Sequence, residues 1–286
     1  MVKSIKIYKN FNINNDHKGS IILIGNFDGL HLGHQKLFKL AKKFKKKFSS
    51  KIGVLTFEPM PKMFFKSDLK NFRISNQKQK LNLLKKFDVD FVVIKRFNKE
   101  FSKTKSINFI KNILASKLKA RFIFVSNNFR FGNKREGNVR QLIKNESLYK
   151  YKIIKPKPLI KNKKIISSSF IRNLLQNGKL KQVNKYLGRE WSIEGKVLKG
   201  RQLGKKIGFP TANIDIEDDG PGIPNSEKSN IFKPFFKIDD SRNMNNEGSG
   251  LGLSIANELV KTLQGEIVLK DSKTKGSIFS IILIET

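Results

Sequence analysis

Two of the three histidines in this 286-residue chain, His31 and His34, stand three apart in the string GNFDGLHLGH at residues 25–34. The string follows a short apolar run, IILI, and precedes a segment in which Leu37, Leu40, Ala41, Phe44 and Phe48 recur at helical spacing with lysines between them. A strand that ends in a glycine-containing loop at a helix N-terminus presents unpaired backbone N–H groups and the positive end of the helix dipole, and both favour phosphate. Imidazoles at the same place add donors that can bond phosphate oxygens as charge grows on them. A pair of ordinary polar loop residues is the plainer alternative. Two histidines out of three in one loop favour the chemical reading over it.

The elements that must position this loop form an alternating series. Residues 21–24 read as a buried strand and the segment after the loop as a helix. Strands follow at residues 52–57, 91–94 and 122–125, separated by helices carrying Leu81, Leu84 and Phe87, then Ile107, Ile110, Leu114 and Leu118. Short apolar runs alternating with helical periods predict an α/β domain with a doubly wound parallel sheet. Two further helices, residues 169–176 and 180–187, each end at a glycine, Gly178 and Gly188, able to take the left-handed conformation. At Trp191 the pattern changes to a predicted strand over residues 192–198, then the loop GRQLGKKIGFPTANI. Near Ile214 an acidic, glycine-rich stretch begins, leading to a helix at about residues 251–263 and strands at 266–270 and 277–284.

Composition narrows the classes of function. The 59 Lys plus Arg against 23 Asp plus Glu give a net charge of +36, and 24 phenylalanines can furnish a core. The basic excess belongs to one part of the chain: 51 basic and 11 acidic residues up to Asn213, against 8 and 12 beyond it. Its lysines are dispersed over helices and loops, which fits a solvated basic surface better than a specific nucleic-acid interface. Absence of cysteine excludes disulfides, Cys-ligated zinc, iron–sulfur clusters and thiol catalysis. No apolar run approaches the length of a membrane span and the start lacks a signal-peptide core, so the expected location is cytoplasmic, without a membrane partner.

The histidine string resembles the HxGH signature of nucleotidyltransferases, and at greater length it is similar to the prokaryotic bifunctional riboflavin kinase/FMN adenylyltransferase family, the FAD synthetases. FEPMPKMFF at residues 57–65, NFRFG at 128–132, ISSSFIR at 166–172 and KGRQLGKKIGFPTANI at 199–214 match in order. The resemblance implies transfer of AMP from ATP to FMN, giving FAD and pyrophosphate, with Mg²⁺ on the polyphosphate. It assigns the catalytic contacts to His31, His34, Ser168 and Arg172, and the binding of ATP and FMN to Gly25, Asn26, Phe27, Asp28, Gly29, Gly33 and Asn128. Two positions depart from the family pattern. Met60 stands where His is usual, which implies weaker catalysis, and Ser169 replaces a Thr while keeping the hydroxyl.

The GFPTANI string resembles the start of the family's riboflavin kinase barrel, in which Gly204, Thr211 and Asn213 would serve the nucleotide, the last two as Mg²⁺ ligands. The barrel's remainder does not follow, which implies loss of the kinase activity. Instead DDGPGIP, IFKPFF and GSGLGLSIA are similar to the ATP-binding catalytic domain of sensor histidine kinases, implying ATP contacts at Asp218, Gly220, Gly222, Gly248, Gly250 and Gly252. The N box and the phosphoacceptor-bearing dimerisation helix are missing. The organisation implied is an adenylyltransferase domain over 1–187, a truncated β-barrel start over 188–214 and a partial α/β-sandwich ATPase over 215–286, as if two unrelated genes were joined near residues 214–217. Two rival functions are a histidine-kinase-like ATP-binding protein and a basic nucleic-acid-binding protein.

Overall fold

The computed structural model describes residues 4–66, 73–193, 211–217, 222–236, 238, 252–272 and 276–284. The chain divides into two compact units, Met1–Ile193 and Glu194–Thr286.

The first unit is built on a six-stranded sheet. Its strands are β1 (Lys6–Tyr8), β2 (Ile21–Ile24), β3 (Ile52–Glu58), β4 (Phe91–Arg96), β5 (Phe122–Phe124) and, after a short hairpin of β6 (Arg130–Phe131) and β7 (Gly137–Asn138), β8 (Lys152–Ile154). All pairings in the sheet are parallel, in the order β1-β4-β3-β2-β5-β8. The doubly wound parallel architecture expected from the alternating pattern is therefore present. From β2 the chain winds outward through β3 and β4, and β5 then returns to its other side. A strand order that reverses in this way leaves a crevice at the carboxyl ends of β2 and β5.

Period-two alternation sends β2 into two cores. Ile21 and Leu23 pack with Ile52, Val54, Val92 and Phe124 beneath α1 (Leu32–Phe48). Ile22 and Ile24 pack on the opposite face with Leu55, Val93 and Ile123. All four β2 side chains are buried, and each contributes roughly 1.5–3 kcal/mol by leaving water. Gly53 lets β3 approach β4: a Cβ there would stand 2.2 Å from the Phe91 ring.

Between the strands lie α2 (Pro61–Phe65), α3 (Gln77–Lys85), α4 (Lys99–Ser102) and α5 (Ser106–Asn108), the last running into a π-helical stretch at Phe109–Lys117. That stretch carries Phe109, Ile110 and Leu114 into the core opposite α1. Helices α6 (Val139–Lys144) and α7 (Glu146–Tyr149) precede β8, and a two-stranded hairpin, β9 (Ile160–Lys161) and β10 (Lys164–Ile165), precedes α8 (Ser168–Gln176) and α9 (Leu180–Leu187). Helix α8 starts on a Ser167 cap, whose hydroxyl accepts from the Phe170 N–H. Gly178 and Gly188 after α8 and α9 take positive φ, 64° and 67°. A third, smaller core of Ile74, Ile166, Ile171, Leu174, Val183, Tyr186 and Leu187 fastens this helical pair to the segment before α3.

In the second unit β11 (Thr211–Glu217), β12 (Glu266–Asp271) and β13 (Ser277–Ile284) form an antiparallel sheet in the order β11-β13-β12, and α10 (Gly252–Thr262) precedes β12. The composition shift at Ile214 falls inside β11, which pairs with β13 along its whole length from Thr211↔Ile284 to Glu217↔Ile278. On and just beyond α10, Ile255, Leu259 and Leu263 recur every four residues and all are exposed. The strand expected over residues 192–198 lies mostly outside the described residues, as do residues 200–210 of the loop GRQLGKKIGFPTANI, whose last four residues instead open β11, paired with β13.

Candidate active site

The histidine string occupies the turn from the carboxyl end of β2 into α1, at the reversal of strand order. Phe27 takes a left-handed conformation, φ 48°, and a short 3₁₀ turn at Asp28–Leu30 leads to His31, the N-cap of α1. His31 is 3% exposed, and its ring Nδ1 accepts the His34 backbone N–H at 3.4 Å. The two imidazoles stack face to face, centroids 3.7 Å apart and 21° from parallel, while the Phe27 ring meets His34 edge-on. His31 Nε2 and His34 Nδ1 are buried and have no hydrogen-bond partner. Since Nδ1 of His31 is an acceptor, its proton sits on Nε2, which leaves a buried donor facing no acceptor.

Burial sets the charge of this pair. Desolvation, reinforced by the Arg172 and Arg189 cations, lowers the His31 pKa to about 4. His34 is pushed well below the usual value by desolvation and by its neighbour. Both rings are neutral at pH 7 and offer hydrogen bonds without charge.

Asp28, 4% exposed, holds the loop together. Its carboxylate accepts the Ile74 N–H at 3.0 and 3.1 Å, the Ser75 N–H at 3.3 Å and Arg172 Nη2 at 2.7 Å. The Ser168 hydroxyl donates to the Asp28 carbonyl at 3.0 Å, and the Gly29 N–H to Ser75 Oγ at 3.2 Å. Gly29, at φ 74°, has no room for a side chain, since a Cβ would meet Ile74 Cγ2 at 2.7 Å. Gly33 permits another close approach, its virtual Cβ lying 2.9 Å from the Ile166 carbonyl oxygen and 3.1 Å from the His31 ring.

The structure thus brings Gly25, Asn26, Phe27, Asp28, Gly29, His31, Gly33, His34, Ser168 and Arg172 to one place. Asn128 lies past the carboxyl end of β5, exposed, with its Oδ1 accepting the Ser126 hydroxyl at 2.9 Å. It shares the sheet edge but has no hydrogen bond to the histidine loop among the described residues. Met60 is 3% exposed, a core side chain. Of the residues assigned to the tail, Gly204, Asp218, Gly220, Gly248 and Gly250 lie outside the described residues. Thr211 and Asn213 are on β11, Gly222 has φ 88°, and Gly252 opens α10.

Two cations at the site had no motif to announce them. Lys80, 5% exposed, reaches Thr56 Oγ1 at 3.3 Å and the Asn26 carbonyl at 3.5 Å, and desolvation lowers its pKa. Its position four residues before the buried Leu84 was the one available signal. Arg189 donates through Nη2 to the Gly29 carbonyl at 2.8 Å. Among the described residues no group of three or more His, Asp or Glu side chains could hold a metal ion, and the Asp28 carboxylate is fully engaged by its four bonds.

A parallel sheet whose strand order reverses beside a buried, uncharged histidine pair defines a nucleotide-binding α/β domain. The model of the FAD synthetase family matches residues 13–170, more than half of the chain, and the protein belongs to that family. A second family model, the histidine kinase-, DNA gyrase B- and HSP90-like ATPase, matches residues 188–286. Curated relatives include the bifunctional riboflavin kinase/FMN adenylyltransferases of Buchnera aphidicola subsp. Acyrthosiphon pisum, 39% identical over 71% of this chain and 65% of that protein, and of Escherichia coli strain K12, 34% identical over 70% and 64%. The chain therefore spans about two thirds of the length of the curated relatives it matches. Among solved structures, a crystal structure described as a macrolide-efflux protein from Streptococcus pneumoniae is similar with a TM-score of 0.59 and 26% identity, over 74% of this chain and 68% of that one.

Proposed function

We propose that the first unit is an FMN adenylyltransferase. A phosphate oxygen of FMN attacks the α-phosphorus of ATP, the bond from that phosphorus to the bridging oxygen breaks, and pyrophosphate leaves with the electron pair, giving FAD. The reaction joins two polyanions, so its demand is to offset their repulsion and then to stabilise charge on the departing pyrophosphate. The observation that carries the reading is the stacked pair of neutral imidazoles, whose unpartnered ring nitrogens lie where a β-strand feeds a helix N-terminus. His31 Nε2–H can donate to a phosphate oxygen without first being stripped of water. Asp28 and Ser168 hold the loop in place, and Arg172, anchored on Asp28, orients it. Mg²⁺, expected from the resemblance, would arrive on the nucleotide, since no carboxylate cluster among the described residues could hold it, and would neutralise charge on the polyphosphate.

The remaining assignments follow from this one. ATP and FMN are the substrates, FAD the product, and the basic surface suits these anions rather than a specific nucleic acid. Residues 1–187 are assigned to adenylyl transfer, 188–214 to a truncated riboflavin kinase start and 215–286 to a partial ATPase, with the kinase activity lost. The cytoplasm is the proposed place of action; among the described residues no helix is long and apolar enough to cross a membrane. Incubation of the purified chain with FMN and ATP, followed by chromatography of the flavins, should yield FAD and pyrophosphate in equal amounts, and none with His31→Ala. FAD formation untouched by that substitution would remove the histidine pair from the chemistry. Riboflavin and ATP should give no FMN.

A further inference from the structure

The chain past α9 does not leave the site. Gln35 on α1 donates to the Leu187 carbonyl at 2.7 Å and to the Leu30 carbonyl at 3.0 Å. Trp191 Nε1 donates to the Ile74 carbonyl at 2.9 Å, and Gln79 to the Ser192 carbonyl at 2.9 Å. The sharp turn at Gly188 is needed, since a Cβ there would meet Leu32 Cδ2 at 2.8 Å in the first turn of α1. Residues 187–192 form a strap buckled onto the two segments that make the phosphate loop.

The strap delivers Arg189. Its Nη2 is spent on the Gly29 carbonyl, whereas Nη1 is buried with no partner, and no carboxylate pairs with it among the described residues. A desolvated guanidinium donor left unsatisfied is costly and uncommon. It lies close enough to His31 for its charge to be felt by that ring. Arg172, the other cation felt by His31, is bound to the buried Asp28 carboxylate at 2.7 Å. One guanidinium beside the histidine pair is neutralised and the other is not. Arginine's planar fork matches phosphate oxygens, and a guanidinium without a carboxylate partner retains its full charge for an anion.

We propose that Arg189 is a ligand of the nucleotide's diphosphate group, joining His31 Nε2 and His34 Nδ1 around the pyrophosphate that leaves, and that Arg172 is a positioning residue acting through Asp28. The inference rests on the adenylyltransferase reading for the identity of the anion. It places a functional residue of the site beyond residue 187, on the segment that leads out of the first unit.

The test uses the full-length chain, calorimetric titration with inorganic pyrophosphate, and FAD formation. Arg189→Gln removes the charge, and its shorter amide, which ends about where Nε lay, also gives up the bond to the Gly29 carbonyl, so the melting temperature reads the structural loss separately from the binding loss. Pyrophosphate affinity should fall about 10- to 100-fold. The KM for ATP should rise with that for FMN unchanged, and the melting temperature should stay within about 2 °C. Wild-type affinity in Arg189→Gln overturns the inference. If that variant does not fold, Arg189→Lys decides, since it keeps the charge and loses the fork: a loss of about threefold or more in pyrophosphate affinity supports the proposal, and none overturns it. The two readings fail separately. A wild-type chain that makes FAD while Arg189→Gln binds pyrophosphate normally refutes the arginine assignment alone. A chain that makes no FAD but binds pyrophosphate in an Arg189-dependent way refutes the adenylyl transfer and leaves the anion site standing.

Discussion

Acidification strikes the histidine pair directly. In the folded chain the His31 ring is buried beside two arginines and takes a proton only near pH 4, against 6.5 in the unfolded chain. Between these values the unfolded state binds the proton and the native state does not, so stability rises with pH across the window. It is fully present above about 6.5 and is lost as pH falls toward 4. Going from pH 8 to pH 5 should cost about 2 kcal/mol through His31, and His34, shifted in the same direction, adds to the loss. Trp191, the single tryptophan, belongs to the first unit, and its indole is bonded to the Ile74 carbonyl. Its fluorescence during urea unfolding therefore reports on the unit that holds the site. Unfolding curves at pH 8 and pH 5 for the wild type and His31→Gln isolate the contribution, because every other titrating group is common to both. The wild type should lose about 2 kcal/mol more than the variant. Equal losses would mean that the ring is not held neutral by burial, and the account of the pair as uncharged donors would fail with it.

Other substitutions probe the parts separately. Asp28→Asn removes the charge that pairs with Arg172 in a buried setting, and should destabilise the first unit by about 3–5 kcal/mol in the same urea assay. Gly33→Ala forces a methyl group against the Ile166 carbonyl and the His31 ring, with an expected cost of about 1–3 kcal/mol and a fall in FAD formation larger than that in FMN binding. Leu23→Ala, at a fully buried position in β2, should cost about 2–5 kcal/mol with the kinetic constants of the remaining folded enzyme unchanged. Restoring a histidine through Met60→His puts a polar group into a buried position, so it should lower the melting temperature even if FAD formation rises.

The sequence by itself determined the features that arise from neighbours along the chain. The β2 run is apolar and β-branched, α1 carries its apolar stripe at helical spacing, and His31 and His34 must lie on one side of a helix start because they are three residues apart. The same local logic found β3, β12, β13, α8 and α9 nearly to the residue. It missed β1 and β8, which lack a four-residue apolar run such as the FIFV that marked β5, and it read the start of β11 as loop because of the glycine and proline just before it. The π-helical form of Phe109–Lys117 was equally hidden, since its apolar spacing reads as ordinary helix. Tertiary structure alone decided what the site residues are bound to. Asp28 finds Ile74 and Ser75 across 46 and 47 positions and Arg172 across 144, and Arg189 reaches Gly29 across 160. No periodicity or spacing encodes such meetings. They depend on which faces the parallel sheet and its third core press together, and the removal of water that follows is what makes the histidines neutral, engages Arg172 and leaves Arg189 with a charge to offer.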